Sequence, residues 1–215
     1  MSNWPVSNRS SGTLIPRTTA RNERSPTAET AIVLIGFFLI QFPLTLLGLV
    51  GLFALSPLVF VEPWTLVTNV YAHASPGHLV GNLLGLILFG ALVERVTSRR
   101  RFHAFFLLTG MLAGLAEVGA GTVLTVRPRG VLGASGAVFA LMGYLITGNR
   151  VADGLLRRVD RVTESDRATT VVLISVAVIL AILLSGPGSA LIGHMTGLVL
   201  GLFAGRIRLL HLRTR

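Results

Sequence analysis

A chain of 215 residues that is 52% hydrophobic and only 13% charged, with a mean hydropathy of +0.73, lies far from the roughly 25% charged composition of a soluble domain and is read as an integral membrane protein. It contains no cysteine, which excludes a disulfide framework, a thiolate nucleophile and a cysteine metal site. The net charge of +10 is distributed between hydrophobic segments, so it reads as membrane topology and not as a nucleic-acid surface.

Residues 1–29 are rich in Ser, Thr, Pro and Arg, hold too few apolar side chains to bury a core, and read as a disordered cytoplasmic tail. The same Arg-rich, acid-poor composition also fits an organellar transit peptide, whereas the apolar run that follows is too long for a cleaved signal peptide. An all-α polytopic membrane domain is expected over 30–208, with six helices at about 31–55, 78–96, 102–126, 132–148, 169–185 and 189–207, then a cytoplasmic tail over 209–215. The first helix is long enough to cross a hydrocarbon layer of roughly 30 Å, with Gln41 and Pro43 as tolerated interruptions. From Ser56 to Gly77 the pattern is broken by Pro57, Glu62, Pro63, Asn69 and Pro76 while apolar residues persist, so an interfacial loop is expected, with Trp64 near headgroup level. Gly186-Pro187-Gly188 joins the last two helices as a tight turn. No internal repeat or second domain is evident.

Every basic residue is arginine. With the N-terminus inside, only Arg127 and Arg129 fall outside, against 17 inner arginines, which favours N-in, C-in under the positive-inside rule. The second, fourth and sixth helices then all begin at the outer face.

That alternation gives meaning to Gly133-Ala134-Ser135-Gly136. Alone, the motif is more simply a small-residue contact between membrane helices. Yet Ser135 lies near the start of the fourth helix and His194 a few residues into the sixth, while His78 and Asn82 share one face at the start of the second. Polar residues from three helices therefore converge at one depth, in the outer third of the membrane. Serine needs a base to act as a nucleophile, and His194 is the histidine at that depth, so the pair reads as a Ser-His dyad. No carboxylate is placed to orient the imidazole. His78, Asn82 and the backbone N–H of Ser135 are the expected oxyanion donors. Gly197 and Gly201, with Gly205, form a stripe that faces Gly136, Ala140 and Gly143, and such close pairing would bring Ser135 to His194. Gly133 supplies backbone freedom at the helix mouth.

These residues resemble the rhomboid family of intramembrane serine proteases. The resemblance covers all six helices and rests on GASG around Ser135 followed by AVFALMGY, on HMTGLVLG from His194, and on His73-x4-His78-x3-Asn82. Trp64 resembles the family's loop-one tryptophan, although Thr65 stands where Trp-Arg is common. Phe139 stands where many members carry a tyrosine beside the histidine, which keeps a stacking ring without its hydroxyl. The resemblance implies a six-helix bundle, cleavage of transmembrane protein substrates within the lipid bilayer, and no metal or organic cofactor. A wet, outward-open cavity lined by His73, Ser75, His78 and Asn82 would admit the water that hydrolysis requires.

Glu117 stays open between pairing with a polar neighbour, a protonated state and an ion path. His103 reads as an inner-interface residue, His211 as tail, and 149–168 as a solvated loop. A small transporter or channel is the less favoured class, because the polar residues gather near one face. A non-catalytic rhomboid-like scaffold is disfavoured by the presence of both Ser135 and His194. The default location is a bacterial or archaeal plasma membrane, and oligomeric state is left open.

Overall fold

The computed structural model describes residues 24–124, 130–148 and 189–212, and between the last two ranges positions 171, 175, 179, 181, 182 and 185. The expected fifth helix at 169–185, the loop at 149–168, the turn at 186–188 and most of the N-terminal tail lie wholly or largely outside the described residues. Within them the chain is an all-helical membrane bundle, with one isolated antiparallel bridge between Leu55 and Val131.

Helix α1 spans Pro26–Leu46, five residues earlier than expected at its start and nine earlier at its end. Ser25 caps it, its Oγ accepting from the Ala28 N–H at 3.1 Å, and Pro26 sits at the first helical position where its missing N–H costs nothing. The early end has an equally local cause. Gly48 adopts φ +81°, and the Gly48 N–H closes back on the Thr45 carbonyl at 3.0 Å, so the chain leaves the helix through a left-handed residue. Residues up to Leu55 form a 3₁₀ turn and a loop instead.

The interfacial loop contains a short helix, α2 (Thr65–Tyr71), which sequence patterning did not resolve. Helix α3 runs Pro76–Val96 and includes a π-turn at Leu86–Gly90. It starts two residues before His78 because Ser75 is its cap, with Oγ accepting from the His78 N–H at 3.2 Å. Helix α4 spans Arg99–Leu124, α5 spans Ser135–Thr147 and α6 spans Leu191–Arg206.

Helices α1, α3 and α4 are long and apolar enough to cross a membrane. Their outward stripes are apolar: Val80, Leu84 and Ile87 on α3, and Leu108, Leu112 and Leu115 on α4, are all exposed. The inward stripe of α1 is the reverse of a soluble helix, with Thr27, Thr30 and Gln41 buried beside Leu34 and Phe38. Polar groups turned inward and leucines turned outward are what a lipid solvent selects.

Helices α5 and α6 share the most extensive helix contact among the described residues. A Cβ on Gly197 would strike the Gly136 carbonyl, one on Gly201 the Ala140 carbonyl, and one on Gly205 the Tyr144 carbonyl. The glycine stripe of α6 thus lies directly on the backbone of α5. Gly136 has a second task besides the one expected: its backbone meets α6 at Gly197, and a Cβ on it would strike the Ala113 side chain on α4.

At the opposite end of the bundle, Glu29 on α1 accepts from Arg99 Nε at 2.6 Å and contacts His103 Nε2 at 2.9 Å, both on α4. The expected C-terminal tail is docked through Leu212. Leu210 is buried, and His211 Nδ1 lies 2.6 Å from the Tyr144 hydroxyl.

Candidate active site

Ser135 is the first residue of α5, and the approach to it is shaped by Gly133 at φ +131°. A side chain there would be strained, and its Cβ would lie 2.8 Å from Nε2 of His78. The Gly133 N–H donates to the Asn69 carbonyl of α2 at 2.8 Å, which ties the glycine-rich turn to the interfacial segment. The first helical bond of α5 runs from the Val138 N–H to the Ala134 carbonyl at 3.0 Å. The N–H groups of Ser135, Gly136 and Ala137 therefore have no intrahelical partner and lie at the positive end of the helix dipole.

His194 lies one turn into α6 and is 7% exposed. Its Nε2 is 2.9 Å from Ser135 Oγ. Phe139 stacks on the imidazole with centroids 4.5 Å apart and planes at 15°, holding the ring on the α5 side. On the other nitrogen, Nδ1 is 2.6 Å from Ser185 Oγ. The sequence offered no reason to select Ser185, since depth at a helix end beside Gly-Pro-Gly is not set by periodicity.

His78 packs its ring against Gly133 and meets the His73 ring edge to face at 5.1 Å. Asn82 is buried and donates from Nδ2 to the His78 carbonyl of its own helix at 2.9 Å. Among the described residues no hydrogen bond joins the side chain of His78 or Asn82 to Ser135. A cleft bounded by Asn69, Gly110, Gly114, Gly133, Ser135 and His194 lies here. Neither His78 nor Asn82 is among the residues that line it; His78 reaches the turn before Ser135, at Gly133, and Asn82 lies one helical turn further along α3.

His73 is wholly buried between α2 and α3, outside the membrane-length helices. Its Nδ1 faces the Tyr71 carbonyl at 3.0 Å and must carry the proton, which leaves Nε2 to accept from the Ala134 N–H at 3.5 Å. Burial, and secondarily the neighbouring His78, push its pKa down to about 4 against the opposing pull of the Tyr71 carbonyl. His73 is thus a neutral strut beneath the turn that carries Ser135, and it does not line the cleft as expected. Gln41 holds it there: Oε1 accepts from the His73 N–H at 2.9 Å and Nε2 donates to the His73 carbonyl at 3.0 Å.

Glu117 finds a partner in α6. Its Oε2 accepts from the Gly193 N–H at 2.8 Å, capping a helix start from another helix. Trp64 is half exposed and donates from Nε1 to the Leu52 carbonyl at 3.0 Å.

A family model described as Rhomboid domain matches residues 61–211. YdcA of Bacillus subtilis is 33% identical over 86 residues, 40% of this chain and 41% of that one. RHOMBOID-like protein 6, mitochondrial, of Arabidopsis thaliana is 30% identical over 86 residues, 40% of this chain and 26% of its own length. The rhomboid protease GlpG of Haemophilus influenzae is 24% identical over 146 residues, 68% of this chain and 70% of its own. The chain thus spans less than half of the first two relatives. A bacterial and a mitochondrial relative together support an integral-membrane location and do not select a bacterial or archaeal plasma membrane.

Proposed function

This chain belongs to the rhomboid family, and on that footing we propose that it is an intramembrane serine endopeptidase acting on transmembrane segments of other membrane proteins. The observation that carries the reading is the 2.9 Å approach of His194 Nε2 to Ser135 Oγ. In this reading Ser135 attacks the scissile carbonyl as its proton passes to Nε2, and the imidazolium later returns that proton to the leaving amine. The oxyanion is met by the Ser135 N–H, which has no intrahelical partner at a helix start, with His78, packed against Gly133, and Asn82, one turn further along the same helix, as further donors. One such donor contributes about 3 to 4 kcal/mol. Phe139 holds the base, Gly133 keeps room for His78, and Gly136, Gly197 and Gly201 let three helices meet closely enough for the dyad to form.

The membrane topology proposed is six spans, N-in and C-in, with cleavage near the outer face. Helix length supports this depth. At 13 residues α5 is about 20 Å long, shorter than a hydrocarbon layer of roughly 30 Å. With its C-terminal end at the inner interface, Ser135 begins the helix within the membrane, where a water-filled recess is required.

The test is cleavage of a single-span substrate by protein in liposomes, compared with Ser135→Ala and His194→Ala, together with fluorophosphonate labelling of Ser135. The parent is expected to cleave and to label, and both variants to do neither. Cleavage that persists in both variants overturns the dyad.

A further inference from the structure

We propose that Ser185 is a third, positioning member of the site, fixing the tautomer and tilt of His194 so that Nε2 is free to take the Ser135 proton. The inference rests on the protease reading and goes beyond a two-residue dyad. A base that accepts at Nε2 must carry its own proton on Nδ1. Among the described residues, the one hydrogen-bond partner of Nδ1 is Ser185 Oγ, at 2.6 Å. In the tautomer that catalysis requires, the Nδ1–H donates to the Ser185 hydroxyl and the lone pair on Nε2 points at Ser135.

Ser185 is itself held. Its N–H closes a turn onto the Ile182 carbonyl at 3.3 Å. Phe139 on one face and Ser185 at the edge then fix the imidazole in rotation as well as in tilt. Glu117, whose Oε2 accepts from the Gly193 N–H, makes no hydrogen bond to His194 Nδ1 among the described residues. A neutral hydroxyl suits a membrane site, since it orients the ring without the desolvation penalty of a buried carboxylate.

The proton count closes. As the Ser135 Oγ–C bond forms, the Oγ–H proton moves to Nε2 and the carbonyl π pair becomes the oxyanion. The imidazolium then carries both ring protons, with Nδ1–H still donating to Ser185. When the C–N bond breaks, the Nε2 proton goes to the amine. Ser185 keeps its own hydrogen throughout, so it acts through His194 and never touches substrate.

Full-length parent, Ser185→Ala and Ser185→Thr are compared in liposomes for kcat and KM, with ¹⁵N-histidine NMR reporting which nitrogen of His194 is protonated. Ser185→Ala is expected to lower kcat about 10- to 100-fold with KM within about 3-fold, and to replace the single Nδ1–H signature by a mixture of tautomers. Ser185→Thr keeps the hydroxyl and is expected to restore both readouts. Unchanged kcat and an unchanged Nδ1–H signature in Ser185→Ala overturn the inference. So does a kcat deficit in Ser185→Ala with the Nδ1–H signature intact, since the loss then does not act through the tautomer of His194. A parent that neither cleaves nor labels with fluorophosphonate overturns the protease reading instead, and the NMR comparison then decides the Ser185 contact independently of activity.

Discussion

Gly197 on α6 rests on the carbonyl of Gly136 on α5, one residue beyond the serine and three beyond the histidine, with no room between them for a methyl group. The contact that sets the helix separation is therefore also the contact that sets the distance between Ser135 and His194. Gly197→Ala is expected to destabilise the protein by about 1 to 3 kcal/mol through overpacking. Its effect on turnover should be larger, since a displacement of about 1 Å in a reacting pair costs on the order of 100-fold. Gly36→Ala is the control, because its Cβ would enter open space in α1. Thermal unfolding in detergent and cleavage rate, measured on both, separate the effects: Gly36→Ala is expected at or above parental stability.

Phe139 stacks on the face of His194 through a flat contact, and nothing in that contact uses a hydroxyl. Phe139→Tyr is accordingly expected to retain parental turnover. Phe139→Leu keeps apolar bulk but loses the ring, worth about 0.5 to 1.5 kcal/mol beyond area burial, so a fall of about 2- to 10-fold in kcat is expected. A Leu variant with unchanged kcat would remove Phe139 from the positioning of the base.

Much of this site was legible because two periodicities in the sequence agree. Glycines at 197, 201 and 205 recur every four residues, and Ser135 and His194 both fall near the starts of helices that the arginine pattern sends in the same direction. The residues that pattern reading missed act through backbone or through loop ends. Gln41 was read as a tolerated polar interruption, yet it pairs with the backbone of a loop 32 positions away. Ser185 is the last residue of the expected fifth helix, beside Gly-Pro-Gly, so periodicity assigns it no face. Glu117 meets the Gly193 N–H because of how α4 rotates against α6, which one helix alone does not determine. Helix starts were misjudged at Pro26 and Pro76 for a simpler reason: Ser-Pro pairs at 25–26 and 75–76 are N-cap signals that outrank the hydropathy edge.

Glu117 supplies a charge-assisted cap to the start of α6, immediately before the histidine. Glu117→Gln keeps an acceptor oxygen and is expected to lose about 0.5 to 1 kcal/mol, the charge–dipole part. Glu117→Leu strands the Gly193 N–H and is expected to lose about 1 to 3 kcal/mol. Denaturation midpoints in a common detergent test the order, parent above Gln above Leu. An ion-path role predicts a different result, with stability equal in all three and ion flux abolished by the Gln variant.

Gln41 makes two hydrogen bonds to one backbone residue, so its removal leaves both the N–H and the carbonyl of His73 unpaired in a buried loop. Gln41→Leu is expected to cost about 2 to 4 kcal/mol. Gln41→Glu accepts from the N–H but cannot donate to the carbonyl while ionised, so it should not restore stability. Equal stability of parent and both variants would show that the loop before α3 is fixed by other contacts.

The buried neutrality of His73 gives the fold an acid-sensitive strut. Its folded pKa of about 4 lies below the ordinary histidine value, so between roughly pH 6.5 and pH 4 the unfolded chain binds a proton that the folded chain does not. Above that window both states are neutral and His73 leaves stability unaffected by pH. As pH falls through it, stability is lost, by roughly 3 kcal/mol in all, and below pH 4 the loss from this residue stops growing. Protonation would also oppose the Ala134 N–H, since the Nε2 acceptor becomes a donor. Thermal midpoints of parent and His73→Gln at pH 7.5, 6, 5 and 4 provide the check. The variant starts from a lower midpoint and is expected to show a shallower decline across that window. A decline of equal slope in both assigns the acid sensitivity to other groups and removes His73 as its source.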